Sequence, residues 1–262
     1  MTAVRPKKAL GQHFLTDLSV AERIAGTVDS YRGLPVLEVG PGMGVLTQFL
    51  LRDGHDVTVA EIDSESVAYL RTHFAALDGR IVEGDFLTMD LSAMFGGRQF
   101  VVIGNYPYNI SSQIFFKVLE NKDLIPCCSG MLQREVAERL AAPPGTKARG
   151  ILSVLLQAWY HVEYLFTVSE HVFNPPPKVK SGVIRMVRRD DVTDLGCDPM
   201  LFKSVVKTTF GQRRKTIRNS LRGLTGNAPL PDSPLLALRP EQLSVEQFIE
   251  LTNLTDRLRK GL

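Results

Sequence analysis

Val36-Leu-Glu-Val-Gly-Pro-Gly-Met-Gly-Val-Leu-Thr47 opens as a short apolar run, carries glycines at 40, 42 and 44, and leads into the helical stretch Val45–Arg52. A buried strand that turns sharply into a helix needs such residues. Glycine tolerates the turn and lets a ligand approach the backbone without meeting a Cβ. The same alternation spreads outward. Val57–Ala60 precedes the helical Ser64–Ala76, with Val67, Leu70 and Phe74 on one face. Arg80–Glu83 and Phe100–Ile103 are strand-like, Ile110–Leu119 is helical, and Gly130–Leu132 runs into the helical Glu135–Leu140. Strands alternating with helices of this length predict a parallel, Rossmann-like sheet covered on both faces. His161–Val168 and Val183–Val187 follow with no helix between them, joined through Asn174-Pro-Pro-Pro, which predicts an antiparallel hairpin at a sheet edge. Beyond Asp198 the pattern is helical: Met200–Phe210, Arg214–Leu221 and Val245–Arg259. The expectation is an α/β domain over 1–192 and a small all-helical domain over 193–262.

The chain has 262 residues, of which 44% are hydrophobic and 23% charged, enough apolar surface to exclude a disordered protein. No apolar run reaches the roughly 18–20 residues that span a bilayer, and the N-terminus lacks the apolar stretch of a signal peptide. Three cysteines, Cys127, Cys128 and Cys197, are an odd number without metal-ligand spacing, which suits a reducing cytoplasm. The five histidines show no metal-site spacing either, so no metal is expected. The net charge of +3 conceals an asymmetry. From Pro199 onward eleven Lys and Arg face five Asp and Glu, and between Lys203 and Arg222 there are seven cations and no anion. Arg5, Lys7 and Lys8 form a second basic cluster. Such a tail is either a solvated helix face or a surface for a polyanion.

Glu61 ends the second strand about 20 residues after the glycine turn, where a carboxylate can accept hydrogen bonds from both hydroxyls of a ribose. With Gly40 it points to an adenosine-containing cofactor, without choosing between NAD and S-adenosylmethionine. Asp85, after the third strand, adds an acceptor at the same sheet edge. Asn105-Tyr-Pro-Tyr108, after the fourth strand, selects the chemistry. An exocyclic adenine amine is a weak nucleophile because its lone pair is delocalised into the ring. It reacts once both N–H bonds point at acceptors that favour a pyramidal nitrogen. The Asn105 oxygen and a rigid backbone carbonyl beside Pro107 can serve as those acceptors, and Tyr108 can stack on the base. Phe173, ahead of three prolines, either holds a ring against a flipped base or plugs the turn from beneath. Lys178 and Lys180 follow that turn, where they can meet phosphate or simply face solvent.

These motifs, with Lys8-Ala-Leu-Gly-Gln-His-Phe-Leu15, Gln133-Arg-Glu-Val-Ala-Glu-Arg-Leu140, Phe173-Asn-Pro-Pro-Pro-Lys-Val179 and Phe210-Gly-Gln-Arg-Arg-Lys-Thr216, run nearly end to end. Together they resemble the ribosomal RNA adenine N6,N6-dimethyltransferases, in particular the bacterial small-subunit (16S) members. The resemblance implies an S-adenosylmethionine-dependent methyltransferase that releases S-adenosylhomocysteine and dimethylates two adjacent adenosines in the 3′-terminal hairpin loop of 16S rRNA. It assigns cofactor contacts to His13, Leu15, Gly40, Glu61, Asp85 and Asn105, with Asp85 on the cofactor's adenine amine. Asn105, Pro107, Tyr108 and Phe173 are assigned to the target base. Arg213, Arg214, Lys215, Arg218 and Arg222, with Lys178, become an RNA-binding set. His13 stands where the family often has Asn, and Tyr106 where Leu is commonest. A monomer acting in the cytoplasm is expected. The rivals are a large-subunit methyltransferase of the macrolide-resistance type and a non-catalytic RNA-binding assembly factor.

Overall fold

The computed structural model describes residues 4, 6–7, 10–226 and 228–261. Arg5 and Lys8 of the basic N-terminal cluster lie outside the described residues. The chain begins with β1 (Phe14–Leu15), α1 (Leu18–Ala25), β2 (Pro35–Val39), α2 (Thr47–Arg52), β3 (Asp56–Glu61), α3 (Ser64–His73) and β4 (Ile81–Glu83). It continues through α4 (Leu91–Phe95), β5 (Val101–Asn105), α5 (Ser111–Glu120), β6 (Cys127–Gln133), α6 (Arg134–Ala141) and α7 (Ile151–Gln157). β7 (Tyr160–Val168), β8 (Phe173–Asn174), β9 (Ser181–Arg188), α8 (Pro199–Gly211), α9 (Ile217–Ser220) and α10 (Val245–Lys260) complete it.

Seven strands form one sheet in the order β4-β3-β2-β5-β6-β9-β7. β2 is parallel to both β3 and β5, β3 to β4 and β5 to β6, while β9 runs antiparallel to β6, with β7 beyond it at the edge. This is the expected Rossmann-like arrangement. β2, β5 and β6 are buried almost throughout, as expected of parallel strands covered on both faces; Val36, Leu37, Val101, Val102 and Ile103 are fully buried. Strand order reverses between β2 and β5, the place in an open α/β sheet where a crevice forms at the carboxyl ends. A second, two-stranded sheet pairs β1 antiparallel with β8, Leu15 opposite Phe173.

By packing, residues 1–137 with 162–188 form one compact unit, and 138–161 with 189–262 form another. The expected division at 192/193 thus falls four residues past the crossing at 188/189. It also misses that 138–161 packs with the C-terminal helices. The reason is visible in hydrogen bonds. The Gly145 N–H donates to the Glu241 carbonyl (2.8 Å), and Arg213 Nη2 donates to the Lys147 carbonyl (2.6 Å). Arg149, fully buried in this unit, donates through Nη1 to the Ala142 carbonyl (2.7 Å) and Gln157 Oε1 (2.6 Å). Asp198 caps α8 by accepting from the Leu201 N–H, and Ser244 with Gln247 forms a reciprocal cap on α10. Among the described residues no helix is long and apolar enough to cross a membrane.

Candidate active site

A cavity opens at the carboxyl edge of the sheet, over the point where β2 and β5 diverge. Its walls include His13, Leu15, Gly40, Glu61, Asp85, Asn105, Pro107 and Tyr108, so residues from five separate stretches of sequence meet there. Gly40, Gly42 and Gly44 all take positive φ (68°, 55° and 76°), a conformation that strains any residue with a Cβ. A Cβ on Gly42 would press on the Phe14 ring at 2.9 Å, so glycine here also makes room for the N-terminal segment.

Glu61 is 4% exposed. Its Oε2 accepts from the Gly42 N–H (3.0 Å) and its Oε1 from the Asp63 N–H (2.9 Å). Burial pushes the carboxyl above its usual range, and the two backbone donors pull against that shift. Each oxygen keeps a further lone pair, so the group can still receive a diol. Asp85 accepts from the Leu87 N–H (2.9 Å), closing the turn that follows β4. Ile62, beside Glu61, is a cavity wall yet 52% exposed, an apolar surface suited to a flat ring. Bare glycine backbone, a buried carboxylate with spare acceptor capacity and an apolar wall fit an adenosine-type cofactor. Among the described residues no group of His, Cys, Asp or Glu could hold a metal ion.

Asn105 ends β5, and its Nδ2 donates to the His13 carbonyl (3.2 Å). With the amide nitrogen committed, Oδ1 makes no hydrogen bond among the described residues and is left as an acceptor. The Pro107 carbonyl accepts from the Ile110 N–H (3.3 Å). The Tyr106 carbonyl, directly before the proline ring, has no such donor among the described residues. The Tyr106 side chain turns away from this chemistry. It is 1% exposed, donates to the Ser129 carbonyl (2.6 Å) and packs edge-on against Phe115. It fills a slot that Gly104 and Gly130 leave open: a Cβ on Gly130 would meet its ring at 2.6 Å and the Gly104 carbonyl at 2.3 Å.

Three features in or beside the cavity escaped the sequence reading. Glu38, buried one residue from the carboxyl end of β2, accepts from Thr47 Oγ1 (2.6 Å), and burial pushes its carboxyl up to about 8. A charged residue inside an otherwise apolar strand was the available signal. Gln12 and Lys7 hold the N-terminal segment onto Asp63: Gln12 Nε2 donates at 3.3 Å, and Lys7 pairs with both Asp63 and Glu65. Ser181, fully buried, bonds to the Tyr108 hydroxyl at 2.5 Å.

Two assignments are corrected. Phe173 does not wall the cavity; it is 4% exposed and packs in the core with Leu15 and Val168, so it is the apolar plug. Pairing of β8 with β1 turns the ring inward. Arg213, Arg214 and Lys215 do not ride a helix starting at 214. They occupy a turn between α8 and α9, closed by the Lys215 N–H on the Gln212 carbonyl (2.8 Å). Arg213 is tied to the Lys147 carbonyl and lies 3.5 Å from Glu241, and Arg218 is tied to the Pro231 carbonyl (3.0 Å). Arg214, Lys215 and Arg222 are exposed, as is Lys178 in the other unit.

Residues 3–255 match the family model described as ribosomal RNA adenine dimethylase. The chain is 66% identical over 261 residues to the ribosomal RNA small subunit methyltransferase A of Bacteroides thetaiotaomicron, covering 99% of this chain and 97% of the relative. Among solved structures, a dimethyladenosine transferase from Plasmodium falciparum superposes with a TM-score of 0.77 at 23% identity, covering 95% of this chain and 99% of that one. The 23S rRNA methyltransferase ErmE superposes with a TM-score of 0.68 at 28% identity, covering 93% and 99%.

Proposed function

The chain belongs to the ribosomal RNA adenine dimethylase family, and from that premise we propose how its cavity carries out the reaction. The enzyme transfers methyl groups from S-adenosylmethionine to N6 of two adjacent adenosines in the 3′-terminal hairpin loop of 16S rRNA, giving N6,N6-dimethyladenosine during late small-subunit assembly. The 66% identity to a small-subunit methyltransferase, against 28% to a large-subunit one, favours the small subunit as substrate.

Glu61 holds the cofactor's ribose hydroxyls, Asp85 its adenine amine, and the backbone at Gly40 together with His13 and Leu15 encloses the rest. The bound cofactor supplies an electrophilic methyl group on its sulfonium. The protein's task is to present the adenine nitrogen in line with that methyl. Asn105 Oδ1 and the carbonyl before Pro107 accept the two N6–H bonds, drawing the nitrogen out of conjugation, while Tyr108 stacks on the extruded base. The observation that carries this reading is the Asn105 amide, fixed nitrogen-first on the His13 carbonyl in the same cavity as Glu61. Arg214, Lys215, Arg222 and Lys178 meet RNA phosphate. The enzyme works as a monomer in the cytoplasm, where its three free cysteines stay reduced.

The test is to incubate undermethylated small subunits with cofactor and digest the rRNA for mass spectrometry, with large subunits alongside. Dimethyladenosine confined to the small subunit is expected; none, or product on the large subunit, overturns the proposal. Asn105→Ala should lower kcat by about 10²–10³-fold, the usual loss for one oriented transition-state contact, without weakening cofactor binding. Full activity of that variant would refute the amine-orienting role.

A further inference from the structure

Tyr108 is held at two points. Its hydroxyl lies 2.5 Å from Ser181 Oγ, and Ser181 is fully buried at the first residue of β9, opposite Gln133 of β6. Its ring lies against the His13 imidazole, with centroids 5.5 Å apart and planes 30° off parallel. The imidazole is itself anchored, since Nδ1 sits 2.8 Å from the Pro175 carbonyl. A carbonyl can only accept, so Nδ1 is the protonated nitrogen. Two dihedrals orient a tyrosine ring. A hydrogen bond at its far end and a stacked neighbour on one face constrain both, and the residue lines the cavity.

We propose that Ser181 and His13 are positioning residues that fix the Tyr108 ring as the platform for the target adenine. This rests on the stacking role proposed for Tyr108 above. It explains why the tyrosine hydroxyl has Ser181 as its one hydrogen-bond partner among the described residues: the group is spent on orientation, and the ring does the recognition. Burial keeps the phenol protonated, so the contact with Ser181 is a hydrogen bond between neutral partners. The same geometry gives His13 a side-chain role beside its backbone contact with Asn105. Loss of either anchor lets the ring swing, which lowers the fraction of bound base aligned with the methyl donor and leaves the cofactor's own contacts in place.

The experiment is a double-variant cycle on methyl transfer to undermethylated small subunits at saturating cofactor. Ser181→Ala and Tyr108→Phe should each lower kcat by about three- to ten-fold, the worth of one neutral hydrogen bond. Both remove the same bond, so the double variant should be no slower than either single one. His13→Phe, which keeps a ring against Tyr108, should retain more of kcat than His13→Ala. Calorimetric affinity of S181A and Y108F for S-adenosylmethionine should stay within about two-fold of the parent, since these changes are apart from its contacts. Additive losses in the double variant would assign Ser181 a merely structural role and overturn the inference. So would parental kcat in S181A, or equal kcat in the two His13 variants. An inactive parent enzyme would instead bring down the functional proposal itself.

Discussion

Glu61→Gln changes one atom and one charge, and the surroundings of that side chain set the outcome. The carboxylate receives the Gly42 N–H on Oε2 at 3.0 Å and the Asp63 N–H on Oε1 at 2.9 Å. A glutamine amide offers one oxygen and one NH₂, so whichever way it turns, one backbone N–H faces a donor. A buried donor stripped of its acceptor costs about 1–3 kcal/mol. For a chain of this size that predicts a Tm lowered by roughly 2–12 °C. On the cavity side the amide can still accept one ribose hydroxyl but loses the second, charged acceptor, worth about 1.5–3 kcal/mol. Affinity for S-adenosylmethionine should therefore weaken by about 10–150-fold. Isothermal titration with S-adenosylmethionine and S-adenosylhomocysteine reads the affinity, and differential scanning calorimetry reads the Tm. Both cofactor forms carry the same ribose, so both should weaken together. A Tm lowered as expected with binding within about two-fold of the parent would refute the ribose role. It would leave Glu61 as a clamp on the glycine turn.

Other outcomes follow from the same geometry. Burial raises the Glu38 carboxyl from 4.5 to about 8, so the folded state holds a proton that the unfolded chain releases. Its contribution to stability is full below pH 4.5 and declines as pH rises towards 8, so Glu38→Gln should flatten the fall in Tm between about pH 5.5 and 8.5; parallel curves would refute this. Burial would raise the Asp63 carboxyl, but Lys7, Gln12 and Ser66 outweigh it and hold it below the usual range. Lys7→Met should then speed amide exchange across residues 10–15 and weaken cofactor affinity without altering kcat at saturation; unchanged exchange would count against the latch. Neutralising Arg214, Lys215 and Arg222 should flatten the salt dependence of subunit binding, by about 0.7–0.9 in log–log slope for each phosphate no longer neutralised, with cofactor affinity untouched. Arg213→Gln and Arg218→Gln should instead lower Tm, because those side chains hold carbonyls of their own unit.

The parallel sheet was legible because each strand is a local signal. Val36–Val39 and Val57–Ala60 are mostly apolar, each runs into a helix-forming stretch, and the cavity residues Gly40, Glu61, Asp85 and Asn105 all stand at or just past strand ends, where topology converges them. What stayed silent has no local period. Ile151–Gln157 is a helix with Leu152, Ser153, Val154, Leu155 and Leu156 all buried, so its apolar residues trace no one-sided stripe to read. β1 and β8 are two residues each and exist only through pairing across the chain. That pairing decides Phe173, because register with Leu15 places its ring in the core whatever the prolines after it suggest. Tyr106 is the reverse case. It stands between two cavity residues where Leu is commonest, yet Gly104 and Gly130 let its side chain leave for the core. Substitution there should trade core packing, while the backbone carbonyl proposed to accept the target amine stays where Pro107 holds it. The motif Asn-Tyr-Pro-Tyr thus alternates in duty. Asn105 and Tyr108 line the cavity, Tyr106 packs into the sheet, and the hydrogen-bond partners of the outer pair, His13 and Ser181, stand 92 and 73 residues away in sequence.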